Sequence, residues 1–314
     1  MKIYNKDEIT RVTKLDDDAL AAVEAGFASL GRDEVTMPPI LSMAIEENNG
    51  EVDVKTAHIH GQNRFAIKIS PGFFDNPKLG LPSLNGLMVL FSAKTGLVDS
   101  VLFDEGYLTD IRTALAGAIA AKHLSRKESA RVTVIGAGLQ AELQVAALRL
   151  VRGISAVDVW ARDADKAEAY ANLMHSKYGL EAQAHSSVKS ACALADIIVT
   201  TTPATSPVLS WGDLPAGVHV TAMGSDSPHK QELEPQILQN ADSIIVDKLT
   251  QSQALGELRS APPGFDRPVV ELGKVIAMDL AVRCSPNDIT VCDLTGTGVQ
   301  DTAIANFTAD QLSV

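Results

Sequence analysis

From residue 131 onward the chain repeats one pattern: a short apolar run, a turn, then a stretch with helical spacing. Residues 131–135 (RVTVI) form an apolar run that ends in "GAGLQA" at 136–141. The segments "AVDVW" (156–160), "EAQAH" (181–185), "DIIVTTTP" (196–203), "HVTAMG" (219–224) and "SIIVD" (243–247) read as further strands. Between them, 163–179 reads as a helix with Asp163 as N-cap and Gly179 as its C-terminal stop. Alternating strand and helix predicts a parallel sheet with helices on both faces.

Residues 1 to about 120 are patterned differently. An amphipathic helix near 16–31 precedes strand after strand: "GEVDVKTAHIH", "RFAIKIS", "GLMVLFS" and "LVDSVLFD", with "SAKTG" (92–96) as a hairpin turn. Consecutive strands without helices between them predict an antiparallel α+β unit. The last segment, 288–305, adds a strand, a glycine turn and a helix. The expected organisation is α/β, with a nucleotide domain over 123–287 inserted into an α+β substrate domain made of 1–122 plus 288–314. The first half would then form the second wall of a cleft.

Composition narrows the function. The 314-residue chain is 46% hydrophobic, enough for sizeable cores, and carries a net charge of −12. An acidic chain with 4% aromatics and no basic run is a poor match to nucleic acid. The three cysteines have no metal-like spacing, and no metal site is expected. No signal-peptide core and no run of about 18 apolar residues appears, so a cytoplasmic protein without a membrane span is expected.

Several residues carry candidate chemistry. "GAGLQA" has the form G-x-G-x-x-A: Gly136 permits a tight strand-to-helix turn, and Gly138 lets the backbone approach a pyrophosphate. At the end of the next strand Arg162 could meet a 2′-phosphate and Asp163 a ribose hydroxyl, so NAD and NADP both stay open. Asp163 could equally serve only as a helix cap. Thr109 reads as the N-cap of an Ala-rich helix, which puts Arg112 in its first turn. A cation is unfavourable there unless it holds an anion such as a substrate carboxylate, or pairs with Asp110 or Asp104. In "RFAIKIS" Lys68 points away from Phe65, Ile67 and Ile69, as a second carboxylate ligand or a solvated lysine. Asp226 would lie at the carboxyl end of a buried strand, where parallel sheets bind ligands; it is either an acid–base group or a turn cap for the next helix.

Taken together, "AIKIS", "GLPSLNG", "LTDIRTA", "VIGAGLQA", "ADIIVTTTP", "AMGSDSPHKQEL", "IIVD", "GE" (256–257) and "TGTGVQD" resemble the ornithine cyclodeaminase/μ-crystallin family over nearly the whole chain. "NGEVDVKTA", "SPGFFDNPKLGLPS" and "DEGYLTDIRTA" are most similar to members known as iminosuccinate reductases and ectoine-utilisation cyclodeaminases. The resemblance implies an inserted Rossmann domain, homodimerisation through the N-terminal domain, a bound NAD or NADP, and a small amino- or imino-acid substrate. It places Lys68 and Arg112 as carboxylate binders, Asp226 as the catalytic acid–base and Asp53 near the substrate amine. It places Gly136, Gly138, Leu139 and Gln140 at the pyrophosphate, Thr201, Thr202 and Pro203 at the cofactor, and Thr297 and Gly298 near the nicotinamide. The chain departs from the family at "MPPILSMAI" (37–45), which lacks the usual arginine, and at Lys55, where cyclodeaminases carry an apolar residue.

The leading expectation is therefore NAD(P)H-dependent reduction of an α-imino acid, with the dicarboxylate iminosuccinate favoured by the cation at Lys55. A redox-neutral cyclodeamination of a diamino acid and a non-catalytic nucleotide-dependent binding protein are the alternatives.

Overall fold

A computed structural model of the chain describes residues 1–313, which fall into two compact units: 1–112 with 297–313, and 113–296.

The first unit is built on a seven-stranded sheet. Its strands are β1 (Lys2–Asn5), β2 (Val35–Thr36), β3 (Leu41–Ile45), β4 (Gly50–Ile59), β5 (Arg64–Phe73), β6 (Leu87–Ser92) and β7 (Val98–Phe103). The order is β1-β7-β6-β5-β4-β2, with β3 also paired to β4. Every ladder is antiparallel except β1 with β7. Helix Asp17–Gly31, capped by the Asp16 side chain, contributes Val23, Phe27 and Leu30 to the core. The C-terminal helix Gly298–Gln311 is buried along most of its length and docks on β4 and β5. The Thr302 hydroxyl sits between these strands, donating to Ala57 O (2.8 Å) and accepting from Ala66 N (3.2 Å).

The faces of this sheet are not distributed as alternation alone would suggest. Ala57, Ala66, Lys55 and Lys68 lie on the covered face and are buried. The apolar residues of the opposite face pair across strands as Phe65 with Phe91, Ile67 with Val89 and Ile69 with Leu87, and remain partly exposed. Lys68 is 2% exposed, so it is not a solvated lysine.

The second unit is an all-parallel sheet of eight strands: β8 (Arg131–Ile135), β9 (Ala156–Trp160), β10 (Glu181–Ala184), β11 (Ile197–Thr200), β13 (His219–Ala222), β15 (Ser243–Val246), β16 (Val269–Glu271) and β17 (Thr290–Asp293). A separate parallel pair is formed by β12 (Thr205–Leu209) and β14 (Gln231–Leu233). The large sheet runs β10-β9-β8-β11-β13-β17-β15-β16. The chain leaves β8 for β9 on one side and returns to β11 on the other, so the topological switch point lies at the carboxyl ends of β8 and β11. Core clusters cover the sheet from residues such as Val145, Leu148 and Tyr170, and Leu209, Ile237 and Leu258.

Two expectations shift. The ladders of β17 with β13 and β15 place 290–293 in the parallel sheet, and the units divide at 296/297 rather than 287/288. At the other end they divide at 112/113, within helix Tyr107–Leu124, rather than at 122/123. That helix also starts before Thr109. Glu105 and Gly106 adopt positive φ (53° and 86°), which brings the Asp104 carboxylate onto Leu108 N at 2.8 Å. Asp104 is the capping side chain, and Arg112 falls in the second turn.

Candidate functional site

The glycine turn lies at the switch point. Gly136 has φ +120°, and a Cβ there would sit 2.6 Å from Thr201 Oγ1, so both conformation and space require glycine. Gly138 is the N-cap of helix Leu139–Val151, and a Cβ on it would meet nothing within 4 Å. The space in front of it belongs to a cavity of about 370 Å³ lined by Gly136, Gly138, Arg162, Lys166, Thr202 and Pro203, among others. Leu139, 58% exposed, and Gln140 open the helix. A helix N-terminus with free backbone approach, in a cavity also lined by Arg162 and Lys166, fits a dinucleotide phosphate. Asp163 performs its capping role: Oδ1 accepts from Asp165 N (3.1 Å) and Lys166 N (3.2 Å).

Because nothing in the protein fills the space beyond Gly138, Gly138→Val is expected to weaken NADH binding about tenfold while the thermal midpoint stays within error of the wild type. Calorimetric titration of the folded variant checks this; unchanged affinity would remove the turn from the phosphate site.

Thr201, Thr202 and Pro203 follow β11 and line the same cavity. Asp226 follows β13. No helix succeeds it directly, so it is not a helix cap; its Oδ1 instead meets Lys230 Nζ at 2.7 Å, and its side chain is 42% exposed.

The first unit holds a buried ionic cluster. In the β4–β5 register Lys55 lies opposite Lys68 and Asp53 opposite Ser70, which puts Asp53, Lys55 and Lys68 on one face. Lys68 Nζ lies 3.1 Å and Arg112 Nε 3.0 Å from Asp301 Oδ1, and Lys55 Nζ lies 3.7 Å from Asp53 Oδ2. Arg112 Nη1 donates to Gln300 Oε1 at 3.0 Å. The expected partners of Arg112, Asp110 or Asp104, are thus replaced by Asp301. Asp301 Oδ2 and Gln300 Nε2 are buried without a hydrogen-bond partner in the protein. Lys55, Lys68 and Arg112 thus gather around Asp53 and Asp301.

Burial drives the Lys68 pKa down to about 7, helped by Arg112 and Lys55 and opposed by Asp301. Burial pushes Asp301 the other way, but Lys68, Arg112 and Lys55 outweigh it and hold the carboxyl below its usual range. Asp104, buried at the start of the same helix as Arg112, is raised to about 6 by desolvation, against the Leu108 N–H.

The Lys68 shift has a defined sign. Between about 7 and the ordinary lysine value of 10.5 the unfolded chain binds the proton that the folded chain has released. The contribution of Lys68 to stability therefore rises with pH across that window and is lowest below it. Anion binding runs the opposite way, because it needs the charged amine. The affinity for a carboxylate ligand is expected to fall as pH rises through about 7. A pH series of KM measures it, and Lys68→Met should flatten the profile; a profile unchanged by that substitution would assign the titration elsewhere.

Sequence reasoning did not single out Gln300 and Asp301. A signal was present: 298–309 is rich in small and apolar residues, so an aspartate in its first turn had to be buried and paired. Thr297 caps this helix by position, yet its buried hydroxyl has no protein partner. At Gly298 a Cβ would overlap the Thr56 carbonyl, which explains the glycine sterically. Among the described residues there is no cluster suited to a metal, and no helix is long and apolar enough to cross a membrane.

Comparison with known proteins gives the following. Residues 2–314 match the family model described as the ornithine cyclodeaminase/mu-crystallin family. A putative dehydrogenase of Rhizobium meliloti is 52% identical over 311 residues, covering 98% of this chain and 94% of that protein. An uncharacterized cyclodeaminase of Sinorhizobium fredii is also 52% identical, over 312 residues, with the same coverage of 98% and 94%. Among solved structures, the iminosuccinate reductase of Paracoccus denitrificans in complex with NAD+ superposes with a TM-score of 0.91 at 29% identity, covering 100% of this chain and 96% of that one.

Proposed function

The chain belongs to the ornithine cyclodeaminase/mu-crystallin family, and we propose that within it the protein is an enzyme that uses NAD(P)H to reduce the C=N bond of an α-imino acid. The observation that carries this reading is the buried convergence of Lys55, Lys68 and Arg112 around Asp53 and Asp301. Such a site attracts an anionic substrate and repels the second ammonium of a diamino acid. Asp53, which stands where a cyclodeaminase glutamate would face the amine, lies 3.7 Å from Lys55 and shares its charge with it. The relatives named above carry both dehydrogenase and cyclodeaminase names, so site chemistry has to choose between them.

In this reading Arg112 and Lys68 bind the α-carboxylate, with Asp301 holding both cations in place and Gln300 fixing the guanidinium. Gly136, Gly138 and the residues lining the 370 Å³ cavity hold the dinucleotide. When bound, the nicotinamide supplies the hydride that the imine carbon receives. Asp226, open to solvent, would relay a proton from water to the nitrogen, so one NAD(P)H is consumed per amino acid formed. The partly exposed ladder of Phe65, Phe91, Ile67 and Val89 supports pairing of two copies of the chain through this sheet face.

The test is the loss of reduced-nicotinamide absorbance with 2-oxo acids plus ammonia. Net consumption is expected; conversion of ornithine to proline without net consumption would replace this reading by cyclodeamination. For the finer assignment, a dicarboxylate such as iminosuccinate, Lys55 supplies the second carboxylate contact. Lys55→Met is expected to lower kcat/KM about tenfold with oxaloacetate plus ammonia and less than twofold with pyruvate plus ammonia. Equal losses would leave Lys55 as support for the strand and remove the dicarboxylate assignment.

A further inference from the structure

Glu232 lies in β14 and is completely buried. Four donors converge on its carboxylate. Oε1 accepts from Thr202 N (2.6 Å) and the Thr202 hydroxyl (2.7 Å); Oε2 accepts from the Thr200 hydroxyl (2.6 Å) and Gly224 N (2.7 Å). Thr200 and Thr202 mark the carboxyl end of β11, where the cofactor cavity opens. Gly224 lies two residues past the end of the neighbouring β13 and two residues before Asp226. One side chain therefore straps two loops: Oε1 holds the Thr202 turn, and Oε2 bridges Thr200 and Gly224. The fit is close: a Cβ at Gly224 would overlap the Thr202 carbonyl and come within 2.6 Å of Glu232 Cδ.

Glu232 is itself anchored through a chain of buried acids. Glu257 accepts from Glu232 N (2.8 Å) and Leu233 N (3.2 Å), and Asp293, at the end of β17, accepts from Glu257 N (2.9 Å). Each carboxylate grips the backbone of the preceding acid, so the strap is tied to the large sheet.

We infer that Glu232 is a positioning residue that sets the Thr202 turn and the Gly224–Asp226 loop in one fixed relation, so that cofactor binding and proton delivery depend on the same carboxylate. The inference rests on the proposed roles of Thr202 and Asp226. The side-chain choice is decided by acceptor count. A carboxylate accepts on both oxygens, whereas a glutamine presents one oxygen and one N–H₂. Whichever way a glutamine turns, its amide meets either Thr202 N or Gly224 N, donor against donor, and one strap opens.

The full-length Glu232→Gln variant tests this with two readouts: NADH and NADPH titrated calorimetrically, and kcat at saturating nucleotide for the 2-oxo acid plus ammonia reaction. At least one of nucleotide Kd and kcat is expected to worsen tenfold or more, with every folded site still binding and the KM for the imine within twofold. Glu232→Asp keeps both acceptors and the charge; it is expected to lose less and carries the test if the glutamine variant does not fold. A purely structural role would lower the calorimetric stoichiometry and leave Kd and kcat per active site unchanged, and that result overturns the inference. Asp226→Asn, measured alongside, separates the failures. If it retains full kcat, the proposed role of Asp226 falls and with it the proton half of the inference; the nucleotide Kd of Glu232→Gln still decides the other half.

Discussion

Replacing Asp301 by Asn is expected to destabilise the protein by about 3–5 kcal/mol, the usual cost of removing one partner from a buried ion pair. The reason is local. Asp301 is fully buried and lies about 3 Å from both Lys68 Nζ and Arg112 Nε, with Lys55 in the same field. An amide of the same shape leaves two buried cations without a counter-ion. Lys68 can answer by losing its proton; Arg112 cannot. The loss should therefore be largest below about pH 7, where wild-type Lys68 is charged, and smaller above it. Because its folded pKa is depressed, the stabilising effect of Asp301 is present above the ordinary carboxylate range and disappears as pH falls through its folded value. Urea denaturation at several pH values measures the whole effect. An Asn variant as stable as the wild type would mean that the cations do not depend on this carboxylate.

Arg112→Lys is expected to act on turnover. It keeps the charge, so the stability loss should be much smaller than for Asp301→Asn. It gives up the planar fork that reaches Asp301 through Nε and Gln300 through Nη1, and it leaves Gln300 Oε1 without its donor. A lysine ammonium cannot engage both of these groups and a substrate carboxylate in the same geometry. The expected fall in kcat/KM is about 2–3 kcal/mol, roughly 30- to 160-fold, for every α-imino acid tried. Steady-state kinetics with imines of pyruvate and oxaloacetate decide the matter. A fall confined to one substrate would move the α-carboxylate away from Arg112, and no fall would remove it from the site.

What the sequence determined by itself is local. The apolar run at 131–135, the positive-φ glycine after it and the helix beyond are specified by neighbours a few residues apart, and so are the Asp163 cap and the Gly179 stop. The strands 50–59, 64–73, 87–92 and 98–103 follow from alternation and turn residues for the same reason. The motif resemblance also singled out Lys68, Arg112 and Asp226 as candidates. Alternation separates the two faces of a strand but does not say which face another element will cover. Only the docking of helix Gly298–Gln311 on β4 and β5 buried the lysine face and left the Phe65–Ile69 face partly open. The ionic cluster was illegible for a related reason: Arg112 and Gln300 are 188 residues apart, and a charge gains its counter-ion only when the chain closes that distance. Glu232 is the same case in the parallel sheet. Its donors come from the ends of two different strands, so tertiary structure alone, by bringing those ends side by side, turned a glutamate in a short polar segment into a fully bonded buried carboxylate.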